Sequence, residues 1–126
     1  MKSIFIIDQD LGFVVSQSNA LYEAGHQAIP ATSSSDALAK LAEIMVPIDL
    51  VIVNPAVAGV DNLIPILRSQ QKPMHIIAAL EHPRALSITR FEPDAYWQKP
   101  SIPDERAKME WLELIQNVLA GDSVNH

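Results

Sequence analysis

Six residues at or near the ends of strand-like runs carry most of the chemistry this chain could perform. Asp8 closes the apolar run Ile4-Phe5-Ile6-Ile7 and is followed by Gln9 and Asp10. Asn54 closes Leu50-Val51-Ile52-Val53, Ala78 lies near the end of Met74 to Leu80, and Lys99 follows Ala95 to Gln98. A carboxylate can bind a cation or act as a nucleophile, whereas an amide is neutral and a poor nucleophile. A lysine ammonium pairs with carboxylate or phosphate as a compact point charge. Other chemistries lack their residues. The four histidines, His26, His75, His82 and His126, show no metal-ligand spacing, and no paired-His helix pattern exists. With 4 Gly there is no glycine-rich phosphate loop, and with no Cys there is neither thiol catalysis nor a thiolate zinc site. No Ser-His-Asp arrangement follows from spacing.

Positioning these residues requires alternating strands and helices. Ile4 to Ile7, rich in β-branched residues, reads as a strand buried on both faces. Asp10 then caps a helix placing Leu11, Val14, Val15, Ser18, Leu21 and Tyr22 on one face, stopped by Gly25. Gln27 to Ala31 reads as a second strand. Ser33, Ser34 and Ser35 offer caps for a helix carrying Ala37, Leu38, Leu41 and Ile44, which Pro47 ends. After the strand Leu50 to Val53, Asp61 is expected to cap a third helix with Leu63, Ile64 and Leu67, and with Pro65 in its first turn. The strand Met74 to Leu80, a shorter helix from Glu81 to Arg90, the strand Ala95 to Gln98 and a last helix from about Pro103 to Leu119 complete the pattern. Five strands alternating with five helices imply parallel βαβ units in a doubly wound α/β sheet.

The 126 residues are 48% apolar and fit one domain, read as residues 1–121 with a polar tail at 122–126. No apolar run approaches the roughly 20 residues that span a bilayer, so no membrane role is expected. The N-terminus enters a strand-like run without a cleavable signal pattern, and a cytoplasmic location is the expectation. A pI near 5.0 argues against a nucleic-acid surface. The net charge of −6 is unevenly spread: residues 1–91 hold 8 acids and 6 bases, and residues 92–126 hold 7 acids and 3 bases.

Taken in order, these segments resemble the receiver domain of bacterial two-component response regulators over nearly the whole chain. IFIIDQD is similar to the first strand with its acidic cluster, and LYEAGHQA to the end of the first helix and the turn into the second strand. SSSDALAKL resembles the second helix. DLVIVNPAVAGVDNL resembles the stretch around the phospho-acceptor, with Gly59 and Asp61 in their usual places. AYWQKP resembles the fifth strand and its Lys-Pro end. The resemblance implies a flavodoxin-like sheet of order 2-1-3-4-5 and a non-enzymatic signalling domain in a two-component or phosphorelay context.

Three departures mark the chain as a degenerate receiver. The acceptor position, a carboxylate nucleophile in the family, is Asn54, and an amide cannot form an acyl phosphate. Rescue by deamidation is blocked because Pro55 has no N–H to attack with. Gln9 replaces the family's second acid, which binds Mg²⁺, and Mg²⁺ favours carboxylate oxygens. Ala78 replaces the Thr or Ser whose hydroxyl bonds the phosphoryl group. Where the family pocket holds three carboxylates and a lysine, Asp8 and Lys99 alone leave a charge of about 0 here, so Mg²⁺ binding is expected to be weak or absent. Asp10 suits capping better than metal binding. Asp8 and Lys99 are expected to pair, and Asn54 can equally be read as a cap on the loop that follows it.

The leading reading is a stand-alone, phosphorylation-independent interaction module whose partners are signalling proteins. Phosphoryl acceptance on Asp8, Asp10 or Asp61, or a small ligand in a flavodoxin-like pocket, are the competing readings. In the family, the face made by the fourth helix, fifth strand and fifth helix serves dimerisation, which points to a homodimer there. Tyr96 is placed on that face, and Trp97, by alternation, in the core. On the last helix Trp111, Leu112, Leu114, Ile115, Val118 and Leu119 span about 160°. Trp111 and Leu114 at its edges are candidates for a partner-facing role, and Glu110 and Glu113 for an acidic docking surface.

Overall fold

Runs such as IFII and LVIV bury both faces only inside a layered sheet, and they do so in the computed structural model, which describes residues 2–70, 74–81, 91–100 and 104–121. The elements are β1 (Ser3–Ile7), α1 (Leu11–Glu23), β2 (Gln27–Ala31), α2 (Ser34–Glu43), β3 (Leu50–Val53), α3 (Val60–Gln70), β4 (His75–Leu80), β5 (Ala95–Gln98) and α4 (Glu105–Leu119). All strand pairs are parallel, and the order is β2-β1-β3-β4-β5. This is the flavodoxin-like doubly wound sheet. The helix expected between Glu81 and Arg90 falls on residues 82–90, which lie outside the described residues, as does the tail at 122–126. Four helices stand among the described residues.

Strand alternation sorts the core into two layers. Phe5, Ile7, Val51, Val53, Ile76 and Ala78 face α2 and α3, meeting Leu41, Leu63, Ile64 and Leu67. Ile4, Ile6, Leu50, Ile52, Ile77 and Ala79 face α1 and α4, meeting Val14, Leu21, Trp111, Ile115 and Val118. The strand starts are clipped by acids. Asp49 Oδ2 accepts from Ser3 N–H at 2.8 Å, and Asp94 Oδ2 from Ile76 N–H at 2.7 Å. Pro30, which cannot donate to a ladder, sits on the edge strand β2.

Local chemistry explains most helix boundaries. Asp10 Oδ1 accepts from Phe13 N–H at 3.1 Å, and Ser33, of the three serines, caps α2 through Asp36 N–H at 3.0 Å. Gly25 takes φ 89°, and the pair His26 N–H to Leu21 O and Gly25 N–H to Tyr22 O closes a Schellman motif on α1. The third helix corrects the sequence reading. It starts at Val60, so Asp61 lies inside its first turn rather than capping it, and Pro65 falls in the second turn. Gly59 precedes the helix with φ 83°, and its carbonyl accepts from Leu63 N–H at 3.0 Å. A left-handed glycine followed directly by the helix takes the place of a side-chain cap.

Candidate functional site

Parallel strands end together on one edge, so residues just past them converge by topology. Here Asp8 follows β1, Asn54 follows β3, Glu81 follows β4 and Lys99 follows β5. Backbone bonds hold the edge in register: Asn54 N–H donates to Ile7 O at 2.9 Å, and Lys99 N–H to Leu80 O at 2.8 Å.

Asp8 and Asn54 are each 1% exposed. Asp8 Oδ1 accepts from Asp10 N–H at 2.9 Å. Lys99 Nζ lies 2.7 Å from Asp8 Oδ2 and compensates the charge of an oxygen that accepts no well-directed hydrogen bond. The same ammonium donates to Glu81 Oε1 at 2.8 Å and sits 4.0 Å from the centroid of the Phe13 ring. Asn54 Nδ2 donates to that same Glu81 oxygen at 3.2 Å. Its Oδ1 accepts from Ala56 N–H at 2.9 Å, which sets the amide with oxygen toward the loop and nitrogen toward Glu81. Asn54 therefore also caps its own loop. Burial acts against the Lys99 charge, but its bonds to Asp8 and Glu81 outweigh that and hold the ammonium's pKa above its usual value.

Glu81 is the functional residue that the sequence reading missed. The signal that identifies it is position: it stands directly after β4, at the fourth strand end. It also revises the pocket charge, since two carboxylates against one lysine leave −1 rather than 0. The donor set does not suit Mg²⁺. Gln9 is exposed, Asp10 is committed to capping α1, and the Asp8 oxygens face an N–H and an ammonium. Among the described residues no group of three acidic or histidine side chains could hold a metal ion.

Ala78 is fully buried between Val53 and Tyr96 in the sheet register, and Tyr96 is 48% exposed. Trp111 leaves the candidate partner face, because it is 1% exposed. It stacks on Trp97 at 4.1 Å, Trp97 stacks on Phe13 at 6.1 Å, and Trp111 Nε1–H donates to Gln17. This ladder ties α4, β5 and α1 together beside Lys99. Leu114 is half-buried against the core. Glu110 and Glu113 are exposed, and Glu110 pairs with Arg106 on the same helix at 3.2 Å. An open groove between α1 and α4 leads away from the strand ends, lined in part by Phe13, Glu81, Trp97, Lys99 and Lys108.

No family model and no curated protein matches the chain. Solved structures do. The chain is similar to a CheY-like response regulator receiver domain protein from Methanospirillum hungatei JF-1, with 20% identity, TM-score 0.77, and 96% of this chain and 95% of that one covered. A response regulator from Thermotoga maritima matches at 19% identity and TM-score 0.73, covering 95% and 98%. A chain in the crystal structure of the phosphorylated P1 domain of CheA3 in complex with CheY6 from R. sphaeroides matches at 16% identity and TM-score 0.69, covering 94% and 97%. At these identities the likeness concerns the fold: a receiver-like fold spans nearly the whole chain.

Proposed function

We propose that this chain is a pseudo-receiver: a non-enzymatic signalling domain that does not accept phosphate at the usual position and acts by binding other proteins in a two-component context. The observation that carries the reading is the state of the acceptor position. Asn54 is a buried amide engaged on both sides, by Ala56 N–H and by Glu81. A neutral amide has no anionic oxygen to attack a phosphodonor. Lys99, which would bind a phosphoryl oxygen, is instead held between Asp8 and Glu81. Mg²⁺ binding is weak or absent in this reading, because the two direct-ligand positions, Gln9 and Asn54, are neutral and the remaining acid, Asp8, faces a lysine. The competing acceptors are poorly disposed: Asp10 caps α1, and Asp8 is buried in its ion pair.

The complex of CheY6 with a CheA3 domain supports a signalling protein as the class of partner. Tyr96, Leu114, Glu110 and Glu113 are the candidate contact residues, with a homodimer as one form such an interaction takes. No described helix is long and apolar enough to cross a membrane. Incubation with acetyl phosphate and Mg²⁺, read by intact mass, is expected to return the unmodified protein. A stable adduct of one phosphoryl group would overturn the proposal, and its loss in Asp8→Asn, Asp10→Asn or Asp61→Ala would name the acceptor.

A further inference from the structure

The strand β2 lies at one edge of the sheet, and two side chains of α2 reach across its outer side. In a parallel pair, alternate residues of a strand turn both backbone groups to the neighbour. Gln27 N–H donates to Lys2 O and Ala31 O accepts from Asp8 N–H, so Gln27, Ile29 and Ala31 face β1. Ala28, Pro30 and Thr32 therefore turn their backbone groups outward, where a sheet edge ordinarily invites another strand. Two of these positions are occupied. Lys40 Nζ donates to Pro30 O, and Asp36 Oδ2 accepts from Thr32 N–H at 3.1 Å. Lys40 and Asp36 stand one turn apart on α2 and pair at 3.4 Å, so they act as one clasp. Ala28 presents its N–H and carbonyl beside that clasp.

We propose that the outer edge of β2 is a pairing surface for a second copy of this chain, held shut by Asp36 and Lys40. The edge is complementary to itself. Two antiparallel β2 strands related by a two-fold axis at Ile29 set each Ala28 N–H against the partner's Pro30 carbonyl. The same axis sets each Thr32 N–H against the partner's His26 carbonyl. Both contacts need groups that the clasp occupies. The first helix supplies the apolar part. Leu11, Val15 and Tyr22 fall within about 40° of one another on α1 and are 63%, 50% and 60% exposed. Glu23 and Gln17 hold α4 on the other flank of α1, through Lys108 and Trp111, which leaves this stripe on the β2 side. Such a two-fold keeps both α1 helices on one face of the joined sheet and brings their stripes together. Pro30 has no N–H to give, which shortens the new ladder and suits a reversible contact. The surface is separate from the face of Tyr96, Glu110 and Glu113, and its pairing does not depend on whether the chain accepts phosphate.

The test is self-association, measured by sedimentation velocity over a range of concentrations. The proteins are wild type, Lys40→Arg, and the double variant Asp36→Ala with Lys40→Ala. The double variant is expected to associate at least about tenfold more tightly than wild type. Lys40→Arg keeps a donor for the Pro30 carbonyl and is expected to match wild type. Amide hydrogen exchange at Ala28 is expected to slow with rising concentration in the double variant. Ala28→Pro in that background removes the outward N–H and is expected to abolish the added association. Val15→Asp, on the exposed stripe, is expected to weaken it and serves if the proline variant does not fold. Association of the double variant no tighter than wild type would overturn the proposal, as would added association that survives both Ala28→Pro and Val15→Asp.

Discussion

Lys99 is the residue on which the strand-end site turns, because among the described residues it is the one cation facing both Asp8 and Glu81. Replacing it with Met leaves Asp8 buried at 1% exposure with its Oδ2 uncompensated. Removing one partner of a buried pair is costly, so Lys99→Met is expected to lose about 3 kcal/mol in chemical denaturation. Glu81→Gln removes a half-exposed partner and is expected to lose under about 1 kcal/mol. The pH dependence follows with a definite sign. The folded chain holds the Lys99 proton more tightly than the unfolded chain, whose lysine titrates near the ordinary value of 10.5. This contribution is therefore complete below that pH and fades as the pH rises through the higher folded value. Thermal unfolding at pH 8 to 11.5 is expected to show this alkaline loss, reduced in Lys99→Met. The Asp8–Lys99 pair was legible in the sequence because both residues sit at strand ends in a recognisable order. Glu81 was not, since nothing in its neighbours specifies that its side chain turns back across the sheet edge.

At the scale of elements, boundaries were legible wherever a side chain or a glycine performs the capping locally. Asp10 and Gly25 illustrate both ends of α1. Asp10→Ala is expected to cost about 1 kcal/mol of stability by removing the acceptor for Phe13 N–H. Gly25→Ala forces a Cβ into φ 89° and is expected to cost about 1 kcal/mol, although nothing lies within 4 Å of the added atom. Equilibrium urea unfolding measures both. Asp61 illustrates the limit. An acid before an apolar run reads as a cap, yet the loop from Asn54 delivers Gly59 into the left-handed region and starts the helix two residues earlier than that cap would. The width of the apolar stripe on α4 was also legible, but not which edge of it faces water. Trp111 is buried because Trp97 of β5 offers it a stacking surface, a contact between residues 14 positions apart that only the folded layer supplies.

For the whole molecule, three of the seven acids of residues 92–126, Glu105, Glu110 and Glu113, lie on α4, and Tyr96 of β5 and Met109 of α4 are exposed. Glu110→Lys with Glu113→Lys is expected to change stability by no more than about 0.5 kcal/mol, because both side chains are exposed. The same variant is expected to weaken binding to a basic partner surface while leaving the circular-dichroism spectrum unchanged. Unchanged binding would remove these acids from the interaction face. The Arg106–Glu110 pair already engages one of them, so Glu113 is expected to contribute the larger share.

Alternation of buried runs with amphipathic stretches was enough to determine a parallel doubly wound sheet, since each strand needs both faces covered and each helix one. The sequence order also determined that the third strand ends on an amide, Asn54. Which groups meet there was decided by the tertiary structure alone. Residues 8, 54, 81 and 99 are brought within hydrogen-bond reach by the crossing order of the strands. Side-chain direction at a strand end depends on the loop that follows and on the charge it finds across the edge, and neither is written in the local sequence.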